Sequence, residues 1–144
     1  MIAIVVAVLA PKGLLACVCT ETGSVGDELH ASGAVFLGRI VALSIETVSL
    51  EDTTAERMVA TFEVERRWKG PKGSKVTVWT CGDQVSFCTC GVAFKLGERY
   101  LVFAEGQPLS TASCNRTRVA AEAAAIIGEL DRLSPAAQGR ITTR

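Results

Sequence analysis

The sequence contains a single histidine, His30. Zinc sites built on several histidines, and catalysis by a histidine pair, are therefore out of reach. It has no C-x-x-C and no glycine-rich phosphate loop, which removes the thioredoxin-like and nucleotide-binding readings. Neither sign of charge is in excess, since 15 Lys and Arg stand against 15 Asp and Glu. No basic field is forecast for nucleic acid or anionic lipid. No repeat, low-complexity tract or linker divides the chain, and no apolar run reaches the ~20 residues of a membrane-spanning helix. With no metal triad, no activated serine or cysteine and no cofactor motif, the chain is expected to be neither an enzyme nor a cofactor protein.

Six cysteines are present: Cys17, Cys19, Cys81, Cys88, Cys90 and Cys114. The even number fits three disulfides and an oxidising, extracytoplasmic compartment, secreted or at the cell surface. Six cysteines allow fifteen pairings, and sequence arithmetic does not choose among them. Zinc is the rival use of the Cys81, Cys88 and Cys90 cluster. A C-x6-C-x-C run is not the paired, short-spaced knuckle that structural zinc takes.

Residues 2–10, "IAIVVAVLA", form an uncharged apolar run of export-signal length. This gives three parts: an export signal over 1–16, a domain over 17–135 and a flexible tail over 136–144. Cleavage after Ala16 would leave Cys17 as the amino terminus. Alternatively, "LLAC" (14–17) resembles a lipobox. Cys17 would then carry lipid and hold the protein on a membrane.

Periodicity forecasts a short helix or turn over 24–32, "SVGDELHAS". A strand apolar on both faces follows over 34–48. Residues 50–56 read as a polar connection, and 57–68 as an alternating strand with Met58, Ala60, Phe62 and Val64 on one face. Further strands are expected at 75–80, 98–105 and 108–113. Val119, Ala123, Ile126, Leu130 and Leu133 then make one helix stripe, with Thr117 placed to cap it and Ser134-Pro135 to end it. The expected class is mostly β: a five-stranded, OB-like closed barrel with a C-terminal helix and a short N-terminal helical turn. Closure would remove exposed sheet edges.

The residues "CVC" at 17–19, "AVFLGRI", "WKG", "CG" at 90–91, "GERYLVFAEG" at 97–106 and "LSTASCNRT" at 109–117 resemble one known pattern. It is that of the netrin-like (NTR) domain of the tissue inhibitors of metalloproteinases, and more closely of their small single-domain bacterial relatives. The resemblance spans nearly all of residues 17–133. It implies the OB barrel and the pairings Cys17–Cys90 and Cys19–Cys114, and leaves Cys81 and Cys88 to close a local loop. It also implies a protein partner, a zinc metalloendopeptidase, whose catalytic zinc is chelated by the Cys17 amine and carbonyl. Val18 would enter the pocket beside that zinc, Cys19 and Thr20 would follow along the cleft, and Phe87, Cys88 and Thr89 would flank them. The animal inhibitors carry a second cysteine-rich domain that has no counterpart here. The alternative is a lipid-anchored envelope module for adhesion or assembly without inhibitory activity. In either reading a monomer is expected, with a membrane involved only if Cys17 is lipidated.

Other conspicuous residues have plainer readings. His30 suits a helix edge. Arg66, Arg67, Lys69, Lys72 and Lys75 suit a solvated strand end around the "WKG" turn. Glu63 and Glu65 suit a solvent-facing strand, and Trp68 and Trp79 suit packing. "NRT" (115–117) has the form of a glycosylation sequon.

Overall fold

The run that reads as apolar on both faces becomes the centre of the sheet. The computed structural model describes residues 17, 19–20, 23–81 and 90–134. The expected export segment and flexible tail lie outside these. Ala34–Leu50 is β1 and Thr53–Lys69 is β2. They form one long antiparallel hairpin in which Leu50 faces Thr53 across Glu51 and Asp52. Residues 53–56 are therefore strand, not the polar connection expected. The pairs Thr47↔Glu56, Val48↔Ala55 and Ser49↔Thr54 carry the ladder to a two-residue turn, and β-branched threonines suit that extended backbone.

Lys75–Thr80 (β3) pairs with β2, Arg99–Ala104 (β4) pairs with β1, and Arg118–Val119 (β5) pairs with β4. Every pairing is antiparallel, in the order β3-β2-β1-β4-β5. The expected closed barrel is thus corrected to an open five-stranded sheet with β3 and β5 at its edges. The fifth strand is also displaced. Within 108–113 only Ser110 makes bridges, to Trp79 on β3 and to Glu105 just beyond β4. Pro108 cannot donate to a ladder, which helps to keep this stretch to a single-residue clasp.

Away from the outer end of the β1–β2 hairpin the sheet is buried on both faces. On one side Phe36, Ile40, Phe62, Phe94, Tyr100 and Val102 pack together. Phe62 meets Phe36 and Phe94 edge-on at centroid distances of 5.3 Å, and Phe94 meets Tyr100 at 4.9 Å, the geometry aromatic quadrupoles favour. On the other side Val35, Leu37, Trp68, Leu101 and Phe103 lie under two helices. Gly38 is needed where β1 and β2 shift register, because a Cβ there would sit 2.8 Å from the Glu63 carbonyl oxygen.

The first helix, α1, is Val25–Ala31, inside the expected 24–32. Ser24 and Asp27 form a reciprocal capping box, with Asp27 N–H donating to Ser24 Oγ at 3.1 Å and Ser24 N–H to Asp27 Oδ2 at 2.8 Å. The Ser24 hydroxyl, which donates to Asp27 Oδ2 at 2.7 Å, and then the Ser24 N–H hold the Asp27 carboxyl below its ordinary pKa. At the other end, Lys69 Nζ donates to the carbonyls of Leu29 (3.1 Å) and His30 (2.7 Å). A strand-end lysine therefore caps a helix C-terminus, where a cation opposes the helix dipole.

The second helix, α2, is Ala124–Leu133, preceded by a 3₁₀ turn at Ala120–Glu122. It starts later than the apolar stripe suggests, and Thr117 does not cap it. Thr117 is buried and bonded to β4, while Val119 belongs to β5. Ala123, Ile126 and Leu130 do face the helix-side core. Asp131 accepts from Trp68 Nε1 at 3.0 Å and pairs with Arg66, which stacks over the Trp68 ring at 4.9 Å.

Leu130 is fully buried, so Leu130→Ala should lower the free energy of unfolding by about 2–5 kcal/mol, measured in urea. Asp131 is held below its ordinary pKa by the hydrogen bonds from Arg66 and then Trp68. A lowered folded pKa makes this contribution complete above the unfolded value, near 3.9, and removes it as pH falls through the folded value. Asp131→Asn should therefore destabilise at pH 7 and flatten the acid limb of the stability curve below about pH 4, followed by thermal melts across pH.

Candidate functional site in the crosslinked amino-terminal segment

The site grows out of a polar knot at the end of β4. The Thr111 hydroxyl donates to the Phe103 carbonyl at 2.7 Å, and Phe103 N–H donates to Thr117 Oγ1 at 2.9 Å. Asn115 Nδ2 donates to Phe103 O (2.8 Å) and Thr111 Oγ1 (2.9 Å), while its Oδ1 accepts from Thr117 N–H at 2.9 Å. Thr111 and Thr117 are buried, and burial strengthens a fully satisfied network of this kind. The loop 111–117 is thereby fixed, with Cys114 at its centre. The sequon asparagine serves the same knot, since both hydrogens of its amide are engaged.

Arg116 ties this loop to α1. Its N–H donates to Glu28 Oε1 at 2.8 Å, its guanidinium pairs with Glu28, and its Nη2 donates to the Gly23 carbonyl at 2.6 Å. Glu28 is buried, so its charge depends on this pairing. Gly23, at the entry to α1, is therefore held against the loop that carries Cys114.

Two disulfides then fasten the segment before Gly23. Cys17 is bonded to Cys90 with Cα atoms 5.3 Å apart, and Cys19 to Cys114 at 5.1 Å. These are the two pairings that the resemblance implies. They close loops of 73 and 95 residues in separation, each worth roughly 4–5 kcal/mol in the chain-entropy treatment. The bridges lie against each other, with Cys17 Sγ 3.2 Å from Cys114 Sγ. The sulfurs of Cys17, Cys19 and Cys114 lie within 4.8 Å of one another, but each is in a disulfide, so no thiolate is left for a metal there.

Cys90 is itself braced. Ser113 N–H donates to its carbonyl at 2.8 Å, and Val92 N–H donates to the buried Thr80 hydroxyl at 3.1 Å. A Cβ on Gly91 would collide with the Cys81 carbonyl. The cysteine–glycine pair at 90–91 thus has a steric cause: only glycine lets the chain pass β3 there. Cys81 is also disulfide-bonded. The expected Cys81–Cys88 bond falls on Cys88, outside the described residues, as do Val18, Phe87 and Thr89. Of the expected contact residues, Cys17 is half-buried, while Cys19 and Thr20 are exposed.

Beside the Cys19–Cys114 bridge lies a cleft of about 560 Å³, walled by α1, Trp79, Phe103 and the 110–115 loop. The indole N–H of Trp79, on this wall, is buried and has no acceptor among the described residues. The remaining candidates have structural roles. His30 is exposed at the end of α1, and Glu65 pairs with Arg99 at 2.5 Å. Arg66 and Lys69 hold α2 and α1 respectively. No linear pattern announced Arg116 with Glu28, 88 residues apart, or the Thr111–Thr117 contact.

Among the described residues no helix is long and apolar enough to cross a membrane. The disulfides indicate an oxidising, extracytoplasmic environment. No family of known proteins matches the sequence, and no curated protein matches it either.

Arg116→Met strands the buried Glu28 carboxylate and should cost about 3–5 kcal/mol. Adding Glu28→Gln should recover part of that loss, because the uncompensated charge is gone. A double-mutant cycle in denaturant reads the difference.

Proposed function

We propose that this chain is an NTR-like protein-binding module that inhibits a zinc metalloendopeptidase through its Cys17 terminus. The observation that carries the reading is the double fastening of positions 17 and 19 to Cys90 and Cys114. A segment held at two points one residue apart has little conformational entropy left to lose on docking. In this reading residues 1–16 are removed and Cys17 carries a free α-amine. That amine has a pKa of about 7.7–8.0, so a useful fraction is neutral near pH 7 and can donate its lone pair. A catalytic zinc keeps one coordination position for water. The Cys17 amine and carbonyl take that position and displace the nucleophilic water. Val18 enters the adjoining pocket, Cys19 and Thr20 lie along the cleft, and Phe87, Cys88 and Thr89 flank the wedge.

The sheet stays open, and the Ser110 clasp joins β3 to the end of β4 through one short stretch, by the hydrogen bonds Trp79 N–H to Leu109 O (3.0 Å) and Glu105 N–H to Ser110 O (2.9 Å). The Cys17–Cys90 bond also favours the unmodified terminus over the lipid-anchored alternative. A lipobox cysteine carries its diacylglycerol on the sulfur that Cys90 already holds.

The test starts from the mass of the mature amino-terminal peptide, which should correspond to unmodified Cys17. Inhibition of a zinc-dependent, matrix-degrading endopeptidase is then compared between this protein and a variant with one Ala inserted before Cys17. The insertion should reduce inhibition to background and leave the melting temperature unchanged. Unchanged inhibition would remove zinc chelation. A diacylated Cys17, or no inhibition by the parent protein, would remove the inhibitory function itself.

A further inference from the structure

The β1–β2 hairpin outgrows the rest of the sheet. β4 pairs with β1 only over Ala34–Arg39, and the hydrogen bonds between Ile40 and residues 97 and 98 end that contact. Beyond this point, residues 41–50 of β1 have β2 on one side and no strand on the other among the described residues. An edge strand turns the N–H and C=O groups of alternate residues outward, ready to pair with another strand.

Folded proteins usually guard such an edge with lysine, proline or a covering loop. Among the described residues this one has none of these guards. "VALSIETVSL" (41–50) contains no Lys, Arg, Pro or Gly. Its single charge, Glu46, is paired with Arg57 on the same hairpin at 3.0 Å. Three of the four exposed large apolar side chains among the described residues gather here: Val41 (39% exposed), Ile45 (58%) and Leu96 (66%). Leu96 belongs because the next residue, Gly97, is hydrogen-bonded to Ile40 at 2.9 Å.

We infer that this edge is a self-association surface, on which two copies of the chain pair β1 antiparallel about a two-fold axis centred on Ile45. The register follows from three constraints. Residues facing each other across an antiparallel ladder lie on the same face of the sheet, so the axis passes through a residue and not between two. A centre at Glu46 would set two carboxylates opposite each other, which destabilises. A centre at Ile45 sets Glu46 against Ser44 of the other copy, opposes Leu43 to Thr47 and Val41 to Ser49, and uses nearly the whole free edge. The edge has no cationic or anionic group left to select a charged peptide. The cleft near Cys114 takes no lining residue from 41–50. An identical neutral edge is therefore the occupant that fits, and two-fold pairing closes the assembly at a dimer.

This departs from the monomer expected from sequence, and it does not depend on the inhibitory reading. Sedimentation velocity on the chain purified from an oxidising compartment should show a mass rising toward twice the monomer between micromolar and hundreds of micromolar. Ile45→Lys sets two ammonium groups against each other at the axis and should leave a monomer with an unchanged circular dichroism spectrum. Thr47→Lys, two residues from the axis, should weaken association by at least tenfold. Register is read by crosslinking: Ile45→Cys should form an intermolecular disulfide under mild oxidation, because directly opposed Cβ atoms are about 4.5–5.5 Å apart. Glu46→Cys, a diagonal pair at about 7–8 Å, should not. A parent protein that stays monomeric throughout this range overturns the inference. So does a dimer that survives Ile45→Lys, or one that crosslinks equally through both positions.

Discussion

Everything at the candidate site depends on the two crosslinks that leave the amino-terminal segment one residue apart. A single bond from Cys17 or Cys19 would tether this segment and still allow it to swing about the sulfur–sulfur axis. The second bond removes that swing, because Cys90 and Cys114 sit on separately braced stretches of chain. Cys90 is held by Ser113 and by the steric demand of Gly91 against Cys81. Cys114 is held by the Thr111–Asn115–Thr117 knot on β4. The fixed placement of Cys17 and Cys19 is thus inherited from buried hydrogen bonds in the body of the sheet. The disulfides transmit it; they do not create it.

The same logic explains how so small a chain carries two helices on one face of a strongly curved sheet. Neither helix is held by apolar contact alone. α1 is gripped at its carboxyl end by Lys69 and at its middle by Arg116 through Glu28. α2 is gripped by Arg66 and Trp68 through Asp131. The Lys69 grip uses the backbone carbonyls of Leu29 and His30, while the Arg116–Glu28 and Arg66–Asp131 grips each use an at least part-buried cation and carboxylate with a further hydrogen bond on the carboxylate. That is the arrangement in which an ion pair positions an element even where its net contribution to stability is modest. Of the basic cluster around the "WKG" turn, Arg66 and Lys69 hold the helices, Arg67 donates to the Gly73 carbonyl, and Lys72 and Lys75 are exposed.

Much of this was legible in the sequence. The alternation of Met58, Ala60, Phe62 and Val64 placed β2's inner face, and the two-faced apolar run placed β1 at the centre. The stretch "SVGDELHAS" (24–32) read as a short helix or turn, and α1 lies within it. The features that were not legible share one physical cause: they depend on partners far apart in the chain. Periodicity reports which face of an element is buried, but not where a strand ends when polar β-branched residues such as Thr53 and Thr54 are carried by their partner strand. Thr117 has the chemistry of a helix cap and equally that of a buried network. Only the proximity of Phe103 and Thr111 decides between them. Closure of the sheet likewise turns on whether one stretch, 108–113, pairs along its length or at one residue, and alternation cannot tell these apart.

The hairpin and the crosslinked segment are physically continuous, and this constrains how the two surfaces can act. Glu46 on β1 pairs with Arg57, and Arg57 lies over the Trp79 ring at 5.1 Å. Trp79 in turn exchanges backbone hydrogen bonds with Leu109 and Thr111, and Thr111 belongs to the knot that fixes Cys114. The chain of contact runs from the free edge to the anchor through an ion pair, a ring contact and backbone hydrogen bonds. Energetic coupling between distant surfaces requires an element with two states that both surfaces bias. Through the contacts just named, pairing at the hairpin would set positions 17 and 19 of one copy at a defined placement relative to those of the other. Under the proposed function, such a dimer would present two docking segments, and its advantage to a partner would be avidity.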